Sequence, residues 1–271
     1  MAKLDKRIVV FLDVMGFRSM IKQFESEALA NEGNLELEHL ESPSLNKYLN
    51  ILDNAISLIS NSNCNYYLFS DNICITLSYT ENEDSFLDTI KLVCTLMHDF
   101  SQEGYFLRGG IDVGWMFDSD DIAVGIPLTK AYLLESEKAI YPRVLISDSF
   151  IKIITDDDFA KKMSDSNQFI RDKYFLKDNT YSFINFFYYI SSFEEKESKF
   201  EFLEHYNQII SNRLTEFSQE EKIYKKYEWL AKEYNRFIEH YANSYSDIDF
   251  VESDLFSDED ITNLLNLKIG L

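Results

Sequence analysis

The stretch KRIVVFLDVMGFRSMIKQF constrains this chain more than any other. Lys6 to Val14 is β-branched and aromatic and has no breaker, so it reads as a buried strand. Phe17, Met20, Ile21 and Phe24 then fall at helical spacing, so a turn at Gly16 leads from strand to amphipathic helix. Asp13 stands inside the apolar strand. An ionised carboxylate there is unfavourable by several kcal/mol unless it is paired or metal-bound. The residue has either a structural partner or a chemical task.

The pattern continues in a way that names a plan. A polar, Glu-rich stretch leads to Ser42-Pro43-Ser44, a turn and N-cap signal, and Leu45 to Ile59 reads as a second amphipathic helix. YYLFSDNICITLSY gives two strands broken at Ser70-Asp71-Asn72. Glu83 to Phe100 is a helix, FLRGGIDVGWMF a strand, and Phe117 to Asp121 a turn. IAVGIP opens the helix LTKAYLLESEKA, and YPRVLISDSFI reads as another strand. Strand, helix, hairpin, helix, strand is the ferredoxin-like α+β plan with additions. Further on, FINFFYYI reads as a strand and residues 200–242 as two amphipathic helices. The expected domains are a core over 1–155 and a C-terminal strand and helical extension over 156–271.

Composition narrows the function classes. The formal charge is −21, with 26 Lys plus Arg against 47 Asp plus Glu. Such a surface repels phosphate backbones and anionic membranes, so polymeric nucleic acid and a polybasic membrane anchor are not expected partners. A small anionic substrate remains compatible, because a metal and a few local cations override the global field. Only residues 1–30 escape net acidity, with five basic and four acidic side chains. Lys6, Arg7, Arg18 and Lys22 are therefore expected around the Asp13 region. Cys64, Cys74 and Cys94 lack C-x-x-C spacing and read as buried reduced thiols. No run of about 18 apolar residues exists, and the start makes a poor signal-peptide core, so the chain reads as soluble and cytoplasmic. The run SYSDIDFVESDLFSDED carries seven carboxylates and no cation and reads as a solvated or loosely packed end, with an interaction or autoinhibitory tail as the other reading.

Two carboxylates carry the chemistry. In a ferredoxin-like sheet the first strand is central and lies beside the hairpin, which puts Asp13 and Asp71 side by side at one rim. Two such carboxylates hold divalent cations, with the Val14 carbonyl as an added oxygen ligand. The backbone N–H groups of Met15, Gly16 and Phe17 open the first helix and suit phosphate oxygens. Taken singly, Asp13 also reads as a hydrogen-bonded structural residue and SDN as a plain turn.

FLDVMGF resembles the first-strand motif of class III nucleotide cyclases, and FSDNI stands where those enzymes place their second metal-binding Asp. FLRGGIDVG resembles their Arg-x-Gly-Ile-x-x-Gly strand, and AVGIPLTKAYLLE the Gly-then-helix segment that follows. These cover about residues 6–150. The closer likeness is to the bacterial pyrimidine cyclases of anti-phage defence (Pycsar cyclases), through Phe69–Asn72, Arg108–Ile111, Ala131–Glu135, Tyr141–Arg143 and Lys226–Leu230.

The resemblance implies a class III cyclase fold and two divalent cations, Mn²⁺ or Mg²⁺, on Asp13, Val14 and Asp71. It implies a site shared in a head-to-tail homodimer, and a cyclic UMP or cyclic CMP product that acts on an effector protein. Purine cyclases carry an Asn and an Arg at positions that are here Thr129 and Leu133, a base-reading Lys at Tyr67, and a base-reading Asp at about Ile122. The purine readers and the usual transition-state Arg are thus absent. Arg108, Lys130 and Arg143 are the candidate replacement cations, and Tyr67 with Lys130 the substrate-facing side chains. Arg108 and Arg143 each also read as structural salt bridges, and Tyr67 as core.

The rival readings are a cyclase-like module that binds nucleotide or dimerises without turnover, and an Asp-nucleophile phosphatase. Met15 stands where the phosphatase needs its second Asp. A cyclic-dinucleotide synthase would want a Gly-Gly-Asp/Glu hairpin, which Phe69–Asn72 does not supply. His39, His98, His205 and His240 have no metal-ligand spacing.

Overall fold

The computed structural model describes residues 2–30, 40–62, 64–80, 84–119, 122–154, 174–191, 195–244 and 257–271. It divides into two compact units, residues 1–139 with 143–184, and residues 140–142 with 185–271.

The first unit is built on an α+β sheet with strand order β2-β3-β1-β4-β6-β8-β7, and β5 pairs with β4. β1 (Asp5–Val14) is central, antiparallel to β3 (Asn72–Ser78) on one side and to β4 (Leu107–Ser119) on the other. β2 (Cys64–Phe69) completes the hairpin with β3. These four strands have the order of a ferredoxin-like sheet, as the element pattern implies. The sheet then extends beyond residue 155. β6 (Val144–Ile146) runs parallel to β4, and β8 (Ser182–Ile184) and β7 (Phe175–Lys177) continue antiparallel.

Alternation along β1 locates the core. Ile8, Val10, Leu12 and Val14 are 0–1% exposed, and they share one face because side chains alternate. The odd-numbered face carries Val9, Phe11 and Asp13. Val9 clusters there with Cys74, Met116 and Ala131 of α4 (Ile126–Leu133), with Phe11 and Tyr67 packed against them. α1 (Phe17–Ala30), α2 (Pro43–Ser60) and α3 (Asp84–Gln102) are the expected helices, and the Ser42 hydroxyl caps α2 by accepting from the Leu45 N–H. α1 runs on through Glu25 and Glu27, because Glu27 is held by Gln23 one turn earlier on α1 and by Ser42 and Ser44 at the start of α2.

Three local expectations change. Phe117–Ser119 are strand rather than turn, because they pair with Ile122–Val124 of β5 (Ile122–Gly125); Asp120 and Asp121 lie outside the described residues. YPRVLISDSFI contributes only three strand residues. The Ser147 hydroxyl then accepts from the Phe150 N–H and starts α5 (Asp148–Ile154). FINFFYYI is strand only to Ile184 and becomes helix α6 (Phe186–Ser191), whose Phe186, Phe187 and Ile190 are buried.

The second unit packs α7 (Lys196–Glu216) and α8 (Glu221–Ser244) around aromatic rings that include Phe187, Tyr206 and Tyr234, with Tyr141 stacked on Trp229 at 5.2 Å. Residues 245–256 of the acidic run lie outside the described residues. Asp258, Glu259 and Asp260 form the first turn of α9 (Asp258–Asn266), where the Ser257–Asp260 capping box and the helix dipole favour negative charge. That part of the run is a helix start, with Asp258 and Glu259 exposed as expected. Among the described residues no helix is long and apolar enough to cross a membrane. The three cysteines are free, with Cys74 and Cys94 buried and Cys64 half-buried.

Candidate active site

The C-terminal end of β1 meets the β2–β3 hairpin tip. Phe69 pairs with Asn72, so Ser70 and Asp71 form a two-residue loop. Ser70 holds φ at 61°, a left-handed conformation that a non-glycine side chain adopts at some energetic cost. The turn is also tied down: the Val14 N–H donates to the Asp71 carbonyl at 3.2 Å. This brings the Asp71 side chain against Asp13, close enough to raise the Asp13 pKa by direct contact and by charge.

Asp13 lies opposite Arg108 in the β1–β4 register, and Arg108 Nε donates to Asp13 Oδ2 at 2.7 Å. Burial raises the Asp13 pKa most, Arg108 draws it back, Asp71 adds to the rise, and the result is a raised value. Arg108 also reaches Glu135, Nη2 to Oε1 at 2.8 Å, and donates from Nη1 to the Ala139 carbonyl at 3.3 Å. Glu135 is only 3% exposed. Burial pushes its carboxyl up to about 7, Arg108 lowers it, and Asp13 and Asp71 raise it.

Glu135 belongs to a π-helical turn, Leu134–Lys138, closed by the Ala139 N–H donating to the Leu134 carbonyl at 2.8 Å. The wider turn follows α4, which lies so close to β4 that a Cβ at Gly110 would fall on the Ala131 carbonyl oxygen. A Cβ at Gly109 would fall on the Phe11 carbonyl. The Arg-Gly-Gly run is therefore a packing requirement as well as a motif. The site is one guanidinium among three carboxylates, and sequence reasoning misses the third. The signal was available, because Glu135 stands in the otherwise apolar run AYLLE.

Other expected site residues have different surroundings. The Met15 N–H donates to the Phe106 carbonyl at 2.8 Å, just beyond the paired ends of β1 and β4, which corrects the expectation of a phosphate donor there. Gly16 is exposed with φ 84°, and Phe17 opens α1. Lys130 Nζ donates to Ser149 Oγ at 2.9 Å and lies 4.0 Å from buried Asp112. Arg143 is buried, donates to Asp178 Oδ2 at 2.6 Å and lies over the Phe183 ring. Its guanidinium thus has structural partners.

Tyr67 donates its hydroxyl to Asp118 Oδ1 at 2.6 Å and to the Ser119 carbonyl at 2.5 Å. Asn65, Thr76 and Arg7 also hold Asp118. Arg7 therefore serves the far end of β1, about 20 Å from Asp13 at the usual strand rise. Lys6 lies over the Tyr79 ring. Neither surrounds Asp13, which corrects that expectation. Arg18 and Lys22 are exposed on α1.

Among the described residues no group of three or more His, Cys, Asp or Glu side chains is placed to hold a metal ion. Asp13 and Asp71 still fit a divalent cation of the Mg²⁺ type, which commonly takes one or two carboxylates and completes its shell with water and phosphate oxygens. Two carboxylates pressed together with Arg108 bonded to one of them call for further positive charge.

No family model matches this sequence, and no curated protein matches it. Solved structures do. The adenylyl cyclase CyaB from P. aeruginosa is 19% identical over 58% of this chain and 84% of that one, with a TM-score of 0.42. The guanylyl cyclase Cya2 is 13% identical over 68% of this chain and 93% of that one, at 0.43. The guanylate cyclase domain of RhGC from Catenaria anguillulae, in complex with GTP, is 15% identical over 57% and 85%, at 0.41.

Proposed function

We propose that this chain is a nucleotidyl cyclase that converts UTP or CTP to the 3′,5′-cyclic monophosphate and pyrophosphate, as a second-messenger signal in anti-phage defence. The observation that carries this reading is the meeting of Asp13 and Asp71 across the end of β1 and the hairpin tip. They are the residues on which FLDVMGF and FSDNI resemble the two metal-binding motifs of class III cyclases.

In this reading Asp13, Asp71 and the Val14 carbonyl hold two divalent cations, Mn²⁺ or Mg²⁺. When bound, such cations acidify a ribose 3′-hydroxyl and offset charge on a leaving pyrophosphate. The backbone N–H groups of Gly16 and Phe17 face the phosphates. The 3′-oxygen bonds to the α-phosphorus, the bond from that phosphorus to the bridging oxygen breaks, and the 3′-proton passes to water. Arg108 is the cation assigned to charge on the α-phosphoryl oxygens, because it is bonded to Asp13 itself, whereas Arg143 bonds to Asp178 and Lys130 to Ser149. Tyr67 stands at the position of the purine-reading Lys, with Thr129 and Leu133 on α4 in place of the purine Asn and Arg.

The homodimer is part of the proposal. Trp115, Ile122, Val124 and Ile126 are 55–70% exposed along the β4–β5 ribbon and the start of α4, an apolar surface suited to a second copy. A cytoplasmic location and a cyclic-nucleotide-sensing effector as downstream partner complete the proposal.

The test is purified protein with Mn²⁺ and each of the four ribonucleoside triphosphates, with products identified by mass. A cyclic product from UTP or CTP is expected, and none from any nucleotide refutes the enzyme. A second reading, a module that binds without turnover, is favoured by Leu133 standing where the transition-state Arg is expected. Nucleotide binding with no product would establish it.

A further inference from the structure

Tyr48 carries a signal that the motifs do not. It lies on α2 and is 3% exposed, and its hydroxyl is buried with no hydrogen-bond partner among the described residues. Buried hydroxyls are bonded in the large majority of cases, and an orphan donor destabilises the fold. A phenylalanine would fill the same aromatic space without that penalty, so packing alone does not account for a tyrosine here.

Its surroundings point to where the hydroxyl is used. The Tyr48 ring packs on Phe17 at 5.2 Å, Phe24 at 6.1 Å and Tyr105 at 5.9 Å between centroids. Phe17 opens α1 directly after the Gly16 turn. Tyr105 precedes Phe106, whose carbonyl accepts the Met15 N–H. The ring is thus wedged between the two segments that flank the Asp13 end of β1. Burial raises the hydroxyl to about 12, and the charges of Asp71 and Asp13 add to the rise. The hydroxyl has no partner among the described residues, so neither carboxylate takes its proton, and a water or ligand oxygen is the acceptor such a donor lacks.

We propose that Tyr48 is a ligand-positioning residue, whose hydroxyl donates to an oxygen carried by a divalent cation on Asp13 and Asp71, either water or a triphosphate oxygen. This rests on the reading of the site as one that takes a metal–triphosphate, and it adds a residue on α2 to that site.

The test uses the full chain and Tyr48→Phe, which removes one oxygen and keeps the ring. Three quantities are read: the melting temperature without metal, Mn²⁺ binding by electron paramagnetic resonance, and binding of Mn²⁺ with inorganic triphosphate, a probe without a base. Tyr48→Phe should melt at or above the parent temperature and bind Mn²⁺–triphosphate about tenfold more weakly, the value of one hydrogen bond to a charged group. Weakening of Mn²⁺ alone by the same factor identifies a metal-bound water as the acceptor; weakening only with triphosphate identifies a phosphate oxygen. Equal affinities, a lower melting temperature for the variant, or no Mn²⁺ binding by the parent overturns the proposal. Failure of the cyclase reading appears separately, as absence of cyclic product, and leaves these binding results intact.

Discussion

Substituting Glu135 by Gln gives the most quantitative check on the electrostatics of the site. The Glu135 side chain is 4% exposed and touches Arg108 at 2.8 Å. Its carboxyl is pushed up to about 7 from a starting value of 4.5. Between those values the folded protein holds a proton that the unfolded chain has released. Folding stability from this group is therefore fully present below pH 4.5 and is lost as pH rises to about 7. The loss is about 3 kcal/mol over the window, at 1.36 kcal/mol per unit.

Gln does not titrate, so the metal-free variant should gain on the parent by about 3 kcal/mol between pH 4.5 and pH 8. Asp13, also raised, slopes in the same direction in both proteins, and because it shares Arg108 with Glu135 the measured difference includes its own change as well. Urea unfolding in EDTA at half-unit steps of pH measures it. Parallel stability curves would show instead that Glu135 is an ordinary ionised partner of Arg108.

Two further outcomes follow from packing. Gly110→Ala sets a Cβ on the Ala131 carbonyl and the Leu134 side chain, so it should cost more than about 3 kcal/mol or prevent folding, read by circular dichroism and melting. Tyr67→Phe removes a donor from Asp118, whose side chain is 2% exposed, and should destabilise by about 2 kcal/mol in urea titrations; an unchanged midpoint would show that Thr76, Asn65 and Arg7 satisfy Asp118 alone.

Much of this site is legible in the sequence because secondary-structure period and sheet order do the placing. Asp13 ends a strand, Asp71 lies in the turn of the next hairpin, and the ferredoxin-like order makes those ends neighbours. Arg108 follows from the same register, opposite Asp13. Residues placed by irregular backbone are not legible. Glu135 reaches Arg108 through a π-helical turn that no periodicity announces. Tyr48 reads as one more apolar-face position on an amphipathic helix, and only the unpaired hydroxyl sets it apart. Charge counted by segment misleads in the other direction. Lys6 and Arg7 are close to Asp13 along the chain, but a strand carries them away from it and into contact with Tyr79 and Asp118. Short strands fail for a related reason. In VLISDSFI and FINFFYYI a polar residue, Ser147 or Asn185, ends the strand and the apolar run continues as helix.

The most direct test of the central claim is cyclic-nucleotide formation from UTP and CTP across a Mn²⁺ titration, in the parent chain and in Asp71→Ala. Mn²⁺-dependent cyclic UMP or cyclic CMP is expected from the parent, with a loss of about a hundredfold or more in the variant and its fold intact. Equal turnover by Asp71→Ala, or activity indifferent to Mn²⁺, would contradict that claim.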